Sequence, residues 1–303
     1  MRRIMDFRDE RQRALERHPL CDWLSDERIS ERNRLEILPI LAPFVLAFRD
    51  LNRWVLPFPE PSAPLQRSIN VHTEEDRNHA ALYLEDWCRL EMDERLGWSA
   101  SDALWWITRA PQTRVLRDTL HRFAALHRAD AGDPVLRFCQ SEAIEASGHV
   151  FFRHTAPVAA RLSEATGLDY RYLGPHHLAL ESGHVETEDA FETVELTERQ
   201  YRAGTTLVAD TFDVFVRMFD SFHEYARTYA ETGTAPRPDS TPVMPVPETW
   251  KASDMLRFCY LHPATDALRY DWLTVLSGSR LPHARPADLL SALADSFRAS
   301  AAR

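Results

Sequence analysis

The chain has 303 residues, with only 9 glycines against 19 prolines and 8 tryptophans. Glycine-rich phosphate loops and strings of tight hairpins depend on glycine, so the composition argues against a Rossmann-type nucleotide-binding protein and against an all-β sandwich. A net charge of −10 makes nucleic acid a poor partner, and 44% hydrophobic with 27% charged residues describes a folded, soluble chain rather than a disordered one.

In chain order the pattern is helical nearly throughout. Residues 7–17 read as a short charged helix. Residues 30–54 read as a second, with Ser30 as N-cap and Pro43 as a bend. The stretch 57–64 is a rigid, proline-rich connector, and Pro64 opens a long helix over about 64–92. Further helices are expected near 101–108, 111–128 and 133–165, the last capped by Asp133 with Pro134 behind it and closed at Gly167. A helix near 175–187 follows. Then comes a long one over 197–231, capped by Thr197, whose stripe Val208, Phe212, Phe215, Phe219 and Phe222 should face the core.

The expected fold is therefore all-α. An N-terminal helical extension (1–29) precedes a helical domain (30–234). A Pro-rich linker (235–248) leads to a helical C-terminal appendage (249–303). Cys21, Cys88, Cys139 and Cys259 stand at neither metal nor redox spacing, which suggests reduced thiols and a cytoplasmic protein. The first residues lack the apolar core of a signal peptide, and no apolar run is long enough for a membrane span, so no membrane partner is expected.

The informative signal is misplaced charge. Within the apolar stripe of the 64–92 helix, His72, Glu75, Asp76 and His79 share one face at i, i+3, i+4 and i+7. The 133–165 helix sets Glu142, Glu145 and His149 among Val135, Phe138 and Phe152. A third set, His177, Glu181 and His184, lies beside Leu173 and Leu180. Taken singly, each set reads as a solvated face, a pair with an arginine such as Arg153, or a hydrogen-bonded core histidine. All three together on otherwise apolar faces point elsewhere. Buried carboxylates cost free energy unless neutralised, and a pair of bound cations neutralises them. Carboxylates and neutral imidazoles suit Fe(II), Mn(II) or Zn(II), and helical bundles build dinuclear sites in this way. The candidate ligands are His72, Glu75, His79, Glu142 or Glu145, His177, Glu181 and His184. Asp76 and His149, and in one version His72, would ligate or orient an imidazole.

Other features read as structural. Asp210, Asp213, Arg217, Asp220 and Glu224 form a stripe turned from the phenylalanine face, as a solvated surface would. Trp105, Trp106 and Trp54 read as core, and Cys139 as a buried structural thiol.

The motifs Asn70-Val-His72-Thr-Glu-Glu75-Asp76-Arg-Asn-His79, Glu142-Ala-Ile-Glu145 and His177-x3-Glu181-x2-His184 resemble those of the haem-oxygenase-like diiron oxidases and oxygenases. The resemblance covers roughly residues 35–230, with Glu181 where the family more often has Asp. It implies a haem-oxygenase-like bundle and two Fe(II) ions that activate O2 as co-substrate. It also implies oxidation of a small molecule such as an amine, an amino acid or a fatty acid. Metal-free enzymes of the same fold, TenA-like or haem-binding, and a non-catalytic ligand carrier are the alternatives. A homodimer is the expected assembly.

Overall fold

A computed structural model describes residues 1–127, 132–181, 194–237, 249–263, 265, 266 and 269. Among these residues every regular element is a helix, and the one β contact is an isolated bridge between Ser99 and Lys251. No described helix is long and apolar enough to cross a membrane.

The helices are α1 (Arg2–Leu15), α2 (Pro19–Ser25), α3 (Glu31–Leu35), α4 (Leu38–Asp50), α5 (Pro64–Asp76), α6 (His79–Arg89), α7 (Met92–Leu96), α8 (Ala100–Thr108), α9 (Arg114–His127), α10 (Pro134–Thr166), α11 (Pro175–Glu181), α12 (Glu198–Tyr225) and α13 (Ala252–Leu261). The start signals act as the sequence implies. Ser30, Asp133 and Thr197 each accept a backbone N–H of the first turn they cap. Pro64 and Pro134 occupy first-turn positions that need no N–H partner. Gly167 ends α10 in the left-handed region at φ 72°, where a Cβ would be strained. Pro43 lies inside α4, which runs on past it and widens into a π turn at Leu51–Val55.

The expected single helix over 64–92 is two. Arg77 and Asn78 interrupt it, and Asn78 sits at φ −91° and ψ −5°, off the regular helical ladder. Asp76 therefore closes one helix and His79 opens the next.

α10 is the axis of the fold. Its 33 residues give it a length of about 50 Å, and it is buried on nearly all sides along its first half. It packs against α12, α11, α1, α3, α2 and α5. α4 packs against α6 and α9, and α13 lies on α8. The stripe Val208, Phe212, Phe215, Phe219 and Phe222 of α12 is fully buried. Asp210, Asp213, Arg217, Asp220 and Glu224 face outward, two of them toward the N-terminal segment, where Arg11 pairs with Asp213 and His18 with Asp220. Residues 1–29 are stitched into the bundle: Ile4, Leu20 and Leu24 are core, and the Met1 ammonium donates to the Val194 carbonyl at 2.8 Å.

Candidate metal centre

The α5–α6 junction, the middle of α10 and the start of α11 meet in the interior. There His72, Asp76 and Glu145 each offer a donor atom, all within 4.8 Å of one another. His72 Nε2 lies 3.4 Å from Asp76 Oδ2 and 3.5 Å from Glu145 Oε1. His79 Nε2 approaches Asp76 Oδ1 at 4.0 Å. The His79 and His177 rings stand edge to face, with His79 Nδ1 3.3 Å from His177 Nε2.

The position of His177 has a traceable cause. Asp86 on α6 is fully buried, and its carboxylate accepts the backbone N–H of Arg171 at 2.8 Å and of Leu173 at 2.9 Å. Burial pushes its carboxyl up to about 6, against the pull of those amides. The turn it pins presents the Tyr172 carbonyl, which accepts Nδ1–H of His177 at 2.9 Å. That bond fixes the tautomer and leaves the Nε2 lone pair toward His79. His79 then donates from Nδ1. Its Nε2 is then the atom turned toward the Asp76 carboxylate, 4.0 Å away.

Asp76 is 1% exposed, and neither of its oxygens has a hydrogen bond. Burial, then the neighbouring Glu145 carboxylate, raises its carboxyl well above the ordinary range. Burial alone would hold the His72 imidazole down, but Asp76, Glu145 and Glu142 outweigh it and lift it to about 10. His177 is pulled down to about 4 by burial.

An apolar cavity of about 60 Å³ opens beside the cluster. His79, Glu145 and His177 form its polar end. Phe44, Phe48, Phe151, Phe152, Phe215, Phe219 and Phe222 supply most of the remaining wall, and among the described residues the lining contains neither Lys nor Arg.

The structure brings His72, Asp76, His79, Glu145 and His177 together. It separates three other candidates from them. Glu75 is exposed, one residue's rotation away from the cluster, and Asp76 takes its place. His149 is half-buried beside Arg153 and near Glu16, which pair with each other, so it orients no imidazole of the site. Glu142 is buried but bound by the Arg8 guanidinium of α1, whereas Arg153 is the arginine that the sequence suggested for it. The Glu181 side chain and His184 lie outside the described residues. Asp86 is the site residue that sequence reasoning missed. Its signal was present, because it falls on the buried face of α6 shared by Tyr83, Trp87 and Leu90.

Trp106 is core, donating to the Pro39 carbonyl at 2.7 Å, and Cys139 is fully buried with its thiol pushed up to about 12 by burial. No protein-family model and no curated protein matches this chain.

Proposed function

We propose that this chain is a non-haem, iron-dependent and O2-dependent oxidase or oxygenase built on a haem-oxygenase-like bundle. One observation carries the reading. A fully buried carboxylate without a hydrogen bond, Asp76, stands against a histidine and a second carboxylate, Glu145, which reaches the polar end of an aromatic cavity.

The residues present suit a divalent ion. The donors are oxygen and imidazole nitrogen, they converge from different helices, and their mutual repulsion is relieved by positive charge. His72, Asp76 and Glu145 would hold it, with His79 and His177 at the side facing the cavity. Bound Fe(II) would supply electrons for reduction of O2. Mn(II) or Zn(II) fits the same donors.

The chain's own residues do the rest. The Tyr172 carbonyl holds His177 with its lone pair inward. Glu145 belongs both to the cluster and to the cavity wall, so it can take up or release a proton beside a bound substrate. The phenylalanines of α10 and α12 keep water away and receive an apolar group. A wall made mostly of phenylalanine suits a substrate whose buried part is an alkyl, acyl-chain or aromatic group. Among amines, amino acids and fatty acids, it favours those with a bulky apolar body.

The test is anaerobic Fe(II) titration of the purified chain, followed by O2 uptake with a panel of such substrates. Stoichiometric iron binding that His72→Ala and Asp76→Asn abolish, with iron-dependent O2 consumption, supports the reading. Failure to bind iron, or wild-type behaviour of both variants, ends it.

A further inference from the structure

α10 lends the cavity Ile144, Glu145, Gly148, Phe151 and Phe152. Counted from Gly148 they stand at i−4, i−3, i, i+3 and i+4, which is one face of the helix with the glycine at its centre. The middle of this patch therefore carries no side chain. Glycine is a poor residue for the interior of a 33-residue helix, because it loses more chain entropy on folding than any other. Some other demand holds it there.

Packing is not that demand. Gly204, inside α12, shows what such a demand looks like. A Cβ there would come within 2.7 Å of Ile4 Cδ1 and 3.1 Å of Cys139 Sγ, so the glycine lets α1 and α10 approach. At Gly148 a Cβ would meet only Phe152 among the described residues, at 3.9 Å, an ordinary van der Waals distance. The backbone does not require it either, since the positive-φ glycines are Gly97, Gly132, Gly167 and Gly233. What a side chain would take is cavity volume. Helical Cα–Cβ bonds tilt toward the N-terminus, so its first carbons would lie over the turn that carries Glu145. The cavity is about 60 Å³, against about 150 Å³ for an apolar cavity that accepts benzene, so a few added carbons would fill it.

We propose that Gly148 is the specificity-determining residue of the cavity. The space of its absent side chain seats the substrate's apolar group, one helical turn from the Glu145 carboxylate, and the residue at this position sets how large that group can be. This rests on the reading above, in which the cavity receives the substrate, and it needs no particular number or kind of ion. It also makes Gly148 a position where helix stability is given up for room.

The test takes the full chain, stripped of metal, and titrates it with xenon, which enters dry apolar cavities, by xenon nuclear magnetic resonance. Wild type should bind xenon at a saturable site. Gly148→Ala should bind it more weakly, and Gly148→Val at least about tenfold more weakly than wild type. Gly148→Ala should melt no lower than wild type, so that its loss is not unfolding, and it carries the test if Gly148→Val does not fold. Mn(II) uptake, followed by the electron paramagnetic resonance signal of the unbound ion, should be the same in all three, because no donor atom is altered.

No saturable xenon binding in wild type, or equal affinity in the three forms, overturns the proposal and leaves the metal reading standing. So does a lower melting temperature for Gly148→Ala, since packing would then be the reason for the glycine. Loss of Mn(II) uptake together with xenon binding in the variants overturns it as well, because Gly148 would then support the centre as a whole. Graded xenon binding with no Mn(II) uptake in any form ends the metal reading and leaves Gly148 as the residue that sizes an apolar site.

Discussion

Asp76→Asn should move stability and metal response in opposite directions. Without metal, Asp76 and Glu145 face one imidazolium, since His72 keeps its proton to about pH 10. The unmatched carboxylate is 1% exposed, and burial beside Glu145 raises it well above the ordinary range, so it takes up a proton or carries a charge that costs several kcal/mol even after relaxation. The near-isosteric amide removes that charge, so the stripped variant should gain about 2 kcal/mol. For a chain of this size that is roughly 4–8 °C in Tm. With Mn(II) at a hundredfold excess over Kd, wild type should gain about 2.7 kcal/mol. That is roughly 5–10 °C, and the variant should gain nothing. Thermal unfolding by circular dichroism, with chelator or with Mn(II), reads both numbers. Glu75→Gln, altered on the exposed side of the same helix, is the control and should follow wild type in both conditions. The reasoning fails if stripped Asp76→Asn is less stable than wild type and still rises with Mn(II). Asp76 would then be a structural acceptor.

Metal affinity should rise about tenfold per pH unit between pH 6 and 9, because His72 must release its proton to ligate; calorimetry in buffers of different ionisation enthalpy counts that proton, and a flat profile contradicts it. His72 binds its proton more tightly folded than unfolded, so its contribution to the stability of the stripped protein is complete below 6.5 and is lost as pH rises toward about 10. Tm measured in chelator should fall across that window, and a rise would contradict the assignment. Cys139 and Cys21 are buried with thiols pushed up to about 12, so iodoacetamide at pH 8 should alkylate exposed Cys88 and spare both, as read by mass spectrometry. Rapid alkylation of Cys139 would contradict its burial. Gly148→Ala should raise stability by about 0.5–1 kcal/mol, since its Cβ would meet only Phe152 at 3.9 Å and the helix gains a better former. Destabilisation on chemical denaturation would show that the cavity wall has no slack there.

The elements were legible where a local rule fixes them. Ser30, Asp133 and Thr197 cap what they should, and α12 buries the phenylalanines its spacing selects. The polar interior was legible as charge on apolar faces, and His72, His79, Glu145 and His177 come from that rule. What escaped it depends on non-local geometry. The choice between Glu75 and Asp76 turns on where the helix breaks, and the apolar pattern runs straight across Arg77 and Asn78. The partner of Glu142 lies 134 residues earlier, on a helix whose sequence reads as charged surface. Asp86 shows as a charge on the buried face of α6, but its role, accepting two backbone amides of a turn, is encoded by no side-chain pattern.

The walls of the cavity are divided between helices in a way that bears on how such a protein can diversify. α10 carries Glu145 together with Phe151 and Phe152, so a shift in its register would disturb chemistry and shape at once. α12 contributes Phe215, Met218, Phe219 and Phe222, and none of the clustered donors. Substitutions along that one face could drift under selection for new substrates while every donor atom stays where it is. Variation among descendants of this chain should accumulate on α12 first, with the α5–α6 junction the last place to change.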